Sequence, residues 1–229
     1  MKKSIFTLLF VAIGGMTMLA AQPKIWLLGD GTMAGWGKAF AQNVGNAMEV
    51  KNIAQEGFCV NVLDTMGGLD SIITEKVKKD FLVIQMGQND LNETNLETYS
   101  SLEEFTQSLV DLVHAAQAKK MIVILCTPLA HPYYKDGVWV DRLGGYAEAV
   151  RRVAVSLSVP VIDLEVLSHD WMVNLGEEGV LAHYENLNLE ERPAGEYLLN
   201  EDGASQIARM VQDGLLQLGD KQFLKALGK

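Results

Sequence analysis

Cysteine is scarce in this sequence of 229 residues, which contains only two. At most one disulfide can therefore form, between Cys59 and Cys126. Cys126 ends an apolar run typical of a buried strand, where a free thiol is the commoner state, and the sequence leaves the pairing open. Because 48% of the residues are hydrophobic, the chain can instead build a full hydrophobic core.

Basic residues are also few, with 19 Lys and Arg against 29 Asp and Glu. Without Lys2 and Lys3, which precede the expected mature chain, 17 basic residues face 29 acidic ones and the formal net charge is −12. Such a charge repels nucleic acids and anionic membrane surfaces. We therefore expect neither as a partner.

No apolar run is long enough to cross a bilayer, which takes about 20 residues. The most apolar stretch, residues 5–13, follows two lysines and is interrupted by two glycines. Small residues follow and predict a cleavage site between Ala21 and Gln22. No cysteine follows this site, so attachment to a lipid anchor is not expected. This order of segments is typical of a secretory signal peptide. The sequence thus predicts a signal peptide at 1–21, a single domain at 22–229, and a secreted or periplasmic protein.

Several signatures of catalysis and cofactor binding are missing. There is no Gly-x-Ser-x-Gly segment, which argues against an α/β-hydrolase. The four histidines and two cysteines share no metal-ligand spacing, so no metal site is expected. The segment Gly29-x-Gly31-x-x-Ala34 matches the dinucleotide-binding pattern, but Lys51 and Asn52 stand where that site needs an acidic residue. We expect no cofactor.

Apolar runs and helical segments alternate along the rest of the chain. The predicted strands cover residues 25–28, 49–54, 81–86, 121–125 and 159–163. Predicted helices cover residues 38–47, 69–78, 142–157 and 166–174, and two more begin at Ser101 and near Asn200. Residues 176–199 are polar and show no clear helical or strand period. The Ser101 helix carries an apolar stripe of core-facing residues: Leu102, Phe105, Leu109, Leu112 and Val113. This alternation predicts an α/β fold, a three-layer α/β/α sandwich around a five-stranded parallel sheet.

Three loops that follow predicted strands carry distinctive polar residues. They read Gly29-Asp30-Gly31-Thr32 after the first strand, Asn52-x-Ala54-x-x-Gly57 after the second and Gly87-Gln88-Asn89-Asp90 after the third. In a parallel sheet such loops meet at the carboxyl edge, where ligands bind. Together they resemble the first three sequence blocks of the SGNH, or GDSL, hydrolases, which implies a flavodoxin-like fold.

Further segments are similar to the rhamnogalacturonan acetylesterase branch of that family. They are Thr32-Met33-Ala34 followed by Trp36-Gly37, then Leu125-Cys126-Thr127-Pro128, and Asn200-Glu201-Asp202-Gly203-Ala204. This resemblance implies an ester hydrolase of carbohydrates that works by acyl transfer, with a base-activated hydroxyl and fixed donors for the oxyanion.

The resemblance implies that the site residues are only partly retained. Gly57 and Asn89 match the two oxyanion-hole positions, and Asp30 matches the residue before the nucleophile. Gln88 stands where this branch usually has histidine. The nucleophile, aspartate and histidine positions of the triad are occupied by Gly31, Gly195 and Leu198, respectively.

Two main hypotheses follow from this pattern. In the first, the chain keeps the acyl-binding cradle without the triad and binds a polysaccharide, an oligosaccharide or a protein partner without cleaving it. In the second, it is an active deacetylase of plant-type polysaccharides with relocated catalytic groups, for which the possible substitutes are Thr32, Cys59, His131 and His183. A third hypothesis is a purely structural role in assembly. Aromatic residues lining the cleft would favour sugar binding, and the candidates are Trp36, Trp139 and Tyr197.

Overall fold

A computed structural model describes residues 23–77, 79–185 and 197–226 of the chain. Its strands are β1 (Ile25–Gly29), β2 (Val50–Asn52), β3 (Phe81–Gln85), β4 (Ile122–Cys126), β5 (Tyr134–Lys135), β6 (Val138–Trp139) and β7 (Val161–Ile162). Five of them form one parallel sheet in the order β2-β1-β3-β4-β7, and β5 and β6 form a small antiparallel hairpin. The predicted five-stranded parallel sheet is confirmed.

The helices lie on both faces of this sheet. They are α1 (Gly31–Val44), α2 (Val60–Thr65), α3 (Leu69–Ile72), α4 (Leu102–Ala118), α5 (Gly144–Leu157), α6 (Leu164–Leu181), α7 (Glu201–Gln217) and α8 (Lys221–Ala226), and a 3-10 turn (Gly45–Ala47) follows α1. Residues of α1, α6, α7 and α8 share one core layer, and residues of α2 to α5 share the other. This is the predicted three-layer sandwich.

Side-chain alternation along the central strands explains the two layers. Ile25 and Leu27 of β1 face the layer with α1 and α7, whereas Trp26 and Leu28 face the layer with α4 and α5. All four side chains are buried. A strand covered on both faces needs an unbroken apolar run, which is the pattern seen in the sequence.

The boundaries of four helices depart from the predictions. Helix α1 begins at Gly31 and not at residue 38, because the Asp30 carboxylate caps it by accepting the Thr32 and Met33 amides at 3.0 and 3.3 Å. Helix α2 was not predicted at all, and α3 covers four residues of the predicted 69–78, of which residue 78 lies outside the described part. Helix α6 extends to Leu181 across a kink at Gly176, where φ is 68°.

The stripe of α4 is confirmed except at its first position. Ser101 and Glu104 form the capping box, and the four later stripe residues are buried. Leu102, in contrast, is 42% exposed. The Leu102 side chain packs over Gly145 of α5 and not into the sheet core. The contact is so close that a Cβ added at Gly145 would lie 3.0 Å from Leu102 Cδ1.

Both cysteines are buried free thiols, as predicted for Cys126. Within the described ranges, no helix has both the length and the apolar character needed to span a bilayer. The predicted signal peptide and its cleavage site lie outside the described residues.

Candidate functional site

The three polar loops meet at the carboxyl edge of the sheet. Gly29, the last residue of β1, pairs in register with Gln85, the last residue of β3. The loop after β2 is tied to the first loop because the Gln55 amide donates to the Gly29 carbonyl at 3.0 Å and Asn52 Nδ2 donates to the Ala34 carbonyl at 3.0 Å. The structure therefore brings together the first and second sequence blocks beside the end of the third strand.

Asp30 anchors the first loop through a buried network. Its Oδ1 accepts the Thr32 hydroxyl at 2.7 Å and Gln85 Nε2 at 3.3 Å, in addition to the two capping amides. Gln85 Nε2 also donates to the Thr32 hydroxyl at 2.7 Å, and Trp36 Nε1 donates to Gln85 Oε1 at 2.9 Å. All four side chains are buried. The role of this network is to hold the start of α1 against β3.

The same network determines what the first loop offers for chemistry. Gly31 is the first residue of α1 and has no side chain. The neighbouring Thr32 hydroxyl donates to Asp30 and accepts from Gln85, and the side chain is 1% exposed. A hydroxyl held in this way is oriented into the protein and is not presented as a nucleophile.

Asn89 and Gly57, the two matches to oxyanion-hole positions, lie on adjacent loops. Asn89 Nδ2 donates to the Phe58 carbonyl at 2.9 Å, which joins the third block to the second. Gly57 has φ of +75°, a left-handed conformation that favours glycine. The arrangement keeps the turn of the second block directly beside the Asn89 amide.

The Asp90 carboxylate cross-links the same two loops. One carboxylate oxygen accepts the Val60 amide at 3.0 Å and the Ser100 hydroxyl at 3.4 Å, and the other accepts the Gly87 amide at 2.9 Å. The side chain is fully buried, and this burial raises the pKa of Asp90 to about 7 despite the backbone donors. Asp90 therefore positions the loops that carry Gly57 and Asn89.

Gln88 lies between Gly87 and Asn89 and differs from its neighbours in having unused polar atoms. Its side chain is 1% exposed. Neither its amide nitrogen nor its amide oxygen has a hydrogen-bond partner among the described residues. A buried amide of this kind offers two donors and one acceptor to a group that reaches it.

Cys59 does not meet the requirements of a nucleophile. It is the N-cap residue of α2, and its Sγ accepts the Val62 amide at 3.4 Å. The side chain is buried, and burial raises the pKa of the Cys59 thiol to about 11. Since the thiolate is the reactive form, this thiol is inert at neutral pH.

His131 is buried in an aromatic cluster after β4. Its ring stacks edge-on against Tyr197 at 4.9 Å between centroids, and neither ring nitrogen has a hydrogen-bond partner among the described residues. Burial, with a smaller contribution from the nearby Arg142 guanidinium, lowers the pKa of His131 to about 3. The buried hydroxyls of Tyr134 and Tyr184 also have no hydrogen-bond partner in this part of the chain. At neutral pH His131 is therefore an uncharged core residue.

Two further positions, the substitute His183 and the triad position Leu198, lie near the start of α7. His183 follows α6, and its Nδ1 is 2.8 Å from the Gly179 carbonyl of that helix, so the ring is tied to the end of α6. The ring also contacts Trp171 edge-on at 5.0 Å between centroids. Leu198 is partly buried, and its carbonyl accepts the Glu185 amide at 2.8 Å. Gly195 lies outside the described residues.

Of the three aromatic candidates, two belong to the core. Trp36 and Tyr197 are 0% exposed. Trp139 is partly buried, donates its Nε1 to the His131 carbonyl at 2.7 Å, and packs on the His169 ring at 4.2 Å between centroids. Only Trp139 retains surface with which a ligand could make contact.

Two structurally important residues at the site were not recognised in the sequence, namely Gln85 and Asp90. The sequence offered one signal for each: Gln85 is a polar residue that ends the apolar run of β3, and Asp90 is an acidic residue directly after Asn89. Both side chains are buried and organise loops, which their residue types do not reveal. Within the described ranges, no group of three or more His, Cys, Asp or Glu side chains is placed to hold a metal ion.

Comparison with known proteins agrees with this arrangement. Residues 20–184 match the sequence profile of the GDSL-like lipase/acylhydrolase family. The chain is 28% identical to the probable rhamnogalacturonan acetylesterase YesY of Bacillus subtilis, covering 88% of this chain and 92% of YesY. It is 26% identical to the rhamnogalacturonan acetylesterase RhgT of Bacillus subtilis, covering 88% of this chain and 93% of RhgT.

Solved structures share the fold at lower identity. The crystal structure of YxiM from Bacillus subtilis superposes with a TM-score of 0.72 at 23% identity, covering 88% of this chain and 58% of that one. The acetyl xylan esterase AlAXEase superposes with a TM-score of 0.67 at 18% identity, covering 84% of this chain and 99% of that one. At these identities the likeness concerns the fold alone.

Proposed function

The chain belongs to the GDSL-like lipase/acylhydrolase family, and we propose that it is a non-hydrolysing member that binds a carbohydrate at the retained cradle. The proposed ligand class is a rhamnogalacturonan-type glycan, because the relatives YesY and RhgT carry that substrate in their names. The proposal rests on Gly31, which the resemblance assigns to the nucleophile position and which has no side chain. The observation that supports it is the neighbouring Thr32 hydroxyl, which is buried and held by Asp30 and Gln85.

The described residues also supply no nucleophile and base within reach of each other. Cys59 is a buried thiol with a raised pKa, and His131 is a buried imidazole with a pKa of about 3. Acyl transfer requires a nucleophile activated by a base at hydrogen-bond distance. Oxyanion donors alone retain a rate of roughly 10³ to 10⁴ over water in well-studied triad enzymes, far below useful turnover.

The retained groups suit binding. The loops that carry Gly57 and Asn89 are cross-linked by Asp90, so the cradle is rigid. The Gln88 amide has both donor and acceptor atoms without partners among the described residues. Gln88 is 1% exposed, so a sugar hydroxyl reaches this amide only when the side chain turns outward, and as both donor and acceptor it can then satisfy the amide.

We expect no esterase turnover by the purified protein on p-nitrophenyl acetate or on acetylated rhamnogalacturonan fragments. Gly31→Ser should remain inactive because both candidate bases are held elsewhere, His131 against Tyr197 and His183 on the Gly179 carbonyl. Release of p-nitrophenol or acetate above the uncatalysed rate is the measurement. Turnover that Asn89→Ala abolishes would show a working oxyanion hole and would instead support the active deacetylase with relocated groups.

We expect the purified protein to bind rhamnogalacturonan oligosaccharides, either acetylated or deacetylated. Isothermal titration calorimetry measures the dissociation constant. Gln88→Leu should weaken binding roughly tenfold, the effect of losing about 1.4 kcal/mol of hydrogen bonding. Gln217→Leu, at the exposed end of α7, is the matched control and should bind as the wild type does. Equal affinity of Gln88→Leu and wild type, with both folded by circular dichroism, would contradict a role for this amide.

We also propose that the protein is exported. Residues 1–21 have the charge and apolar pattern of a signal peptide, so the mature chain should begin at Gln22. N-terminal sequencing of the protein from the extracellular or periplasmic fraction of a producing cell measures this. An intact Met1 in a cytoplasmic fraction would overturn the proposal.

A further inference from the structure

A narrow groove lies on the helical layer that contains α2, α3 and α4, and none of its lining residues belongs to the three polar loops. Its floor is apolar and includes Val60, Leu63, Leu69 and Leu112, all buried. The volume of the groove is about 170 Å³. Pockets for small-molecule ligands usually measure about 300 to 1,000 Å³, so this groove fits a single side chain and not a cofactor.

Two carboxylates stand at the rim of this groove. Asp64 Oδ2 accepts the Ser108 hydroxyl at 3.0 Å, and Asp111 Oδ1 accepts Gln107 Nε2 at 3.0 Å. Each carboxylate is thus held in place by a neighbour on α4. Neither forms an ion pair with a described residue, and none of the residues lining the groove is Lys, Arg or His.

His114 of α4 is exposed and does not line the groove. Lys119, which directly follows α4, pairs with Asp70 of α3, and its Nζ also donates to the Ile73 carbonyl at 3.2 Å. The rim therefore keeps its negative charge. An apolar floor under fixed carboxylates complements an aliphatic stem that ends in a cation, as in arginine or lysine.

A second groove continues the surface on the other side of α2. It shares Asp64 with the first and adds Glu97 and Leu96, of which Leu96 is 82% exposed. No basic residue lines this groove either. The two grooves together form an acidic and apolar surface, here called the α2 face, which runs from Asp111 across Asp64 to Leu96.

We propose that the α2 face binds a partner polypeptide through an arginine or lysine flanked by apolar side chains. The cationic side chain lies in the first groove with its head between Asp64 and Asp111, and a flanking apolar residue contacts Leu96. This surface is separate from the carbohydrate cradle, and the proposal does not depend on the proposed function. The expected mature net charge of −12 strengthens the attraction at a distance, whereas the rim carboxylates supply the specificity.

The probe is the peptide acetyl-Gly-Leu-Arg-Leu-Gly-amide, titrated into ¹⁵N-labelled protein. A second peptide with citrulline in place of arginine has nearly the same shape without the charge. We expect amide shifts confined to residues 60–69, 96–97 and 108–115, with the citrulline peptide binding roughly tenfold more weakly. Shifts that map elsewhere, or equal affinity for the two peptides, would overturn the proposal.

Charge-matched variants separate the rim from the overall charge. Asp64→Asn and Asp111→Asn should each weaken arginine-peptide binding about threefold to tenfold and leave citrulline-peptide binding unchanged. Asp213→Asn, on the exposed side of α7 in the opposite layer, removes the same charge and should have no effect beyond long-range screening. If Asp213→Asn weakens binding as much as the rim variants, the interaction is non-specific and the proposal fails.

Discussion

His131→Phe and Asp90→Asn are expected to change the pH dependence of stability in opposite directions. Burial lowers the pKa of His131 from 6.5 to about 3, and burial raises the pKa of Asp90 from 3.8 to about 7. Each difference between the folded and unfolded pKa makes stability depend on pH. Because the two shifts have opposite signs, their effects offset one another in the wild type between about pH 4 and 6.5.

His131 makes the wild type less stable in acid. Between pH 6.5 and 3 the unfolded chain takes up a proton that the folded chain does not, so stability falls as the pH falls. His131→Phe lacks this loss. Relative to wild type, it should gain about 3 kcal/mol in the free energy of unfolding on going from pH 6.5 to pH 4.

Asp90 has the reverse effect. Its folded form holds a proton that the unfolded form loses, so its contribution to stability is complete below pH 3.8 and is lost as the pH rises through 7. Asp90→Asn should therefore gain about 3 kcal/mol relative to wild type between pH 4 and pH 7. At every pH it also carries a constant cost of about 1 to 3 kcal/mol, because an amide nitrogen cannot accept one of the two backbone N–H groups from Val60 and Gly87.

Urea unfolding at several values between pH 4 and pH 7 measures both effects. His131→Gln is the control for aromatic packing, because glutamine keeps a polar side chain but cannot titrate, and it should show the same pH trend as His131→Phe. The free energy of unfolding of the double variant His131→Phe/Asp90→Asn should contain neither the loss in acid due to His131 nor the loss above pH 4 due to Asp90. A free-energy difference from wild type that stays constant with pH in the His131 variants would contradict the assignment of His131 as a buried neutral imidazole.

Gly203→Ala is expected to destabilise the protein by about 3 kcal/mol or more. A Cβ at Gly203 would lie 2.2 Å from the His183 carbonyl oxygen, which is backbone and is held by the Asn200 amide at 3.1 Å. The first turn of α7 would have to move away from the segment that ends α6. Thermal or urea unfolding measures the loss.

Gly35→Ala is the matched control for this prediction. Gly35 also lies within a helix, but a Cβ there meets no atom within 4 Å apart from its chain neighbours and its own helix backbone. The change should therefore stabilise the protein by about 0.5 to 1 kcal/mol, since alanine loses less backbone entropy than glycine in a helix. Equal stability of the two variants would show that the contact at Gly203 relaxes without cost.

The contact at Gly203 also explains the motif that begins the last helix. Asn200 Oδ1 accepts the Gly203 amide at 3.0 Å, and Asn200 Nδ2 donates to the Ala182 carbonyl at 2.7 Å. The same asparagine therefore caps α7 and ties it to the end of α6, and only glycine fits between them.

The sequence predicts correctly those features that depend on interactions between residues close together in the chain. Long apolar runs can be satisfied only by burial on both faces, so the five strands and their parallel sheet followed from the order of residues. Cap residues act within one turn, so the starts of α4 at Ser101 and of α7 at Asn200 could be predicted. The start of α1 was missed because a glycine-rich segment predicts a loop, whereas Asp30 caps a helix there.

The order of chemical blocks was likewise determined by the sequence alone. Gly31 lacks a side chain in any fold, and the positions of Gly57 and Asn89 after their strands place them at one edge of the sheet. By resemblance, the sequence thus predicts an acyl-binding cradle at this edge, with Gly31 at the position where the family has its nucleophile.

Only the tertiary structure decided which of the remaining groups can act. The Thr32 hydroxyl is held by Gln85, 53 positions away in the sequence, and His131 loses its charge because Tyr197 and other distant residues surround it. The groove of the α2 face forms where Asp64 and Asp111 of two separate helices come together. Accessibility, pKa and surface shape depend on neighbours that are remote along the chain, and no local pattern of residues specifies them.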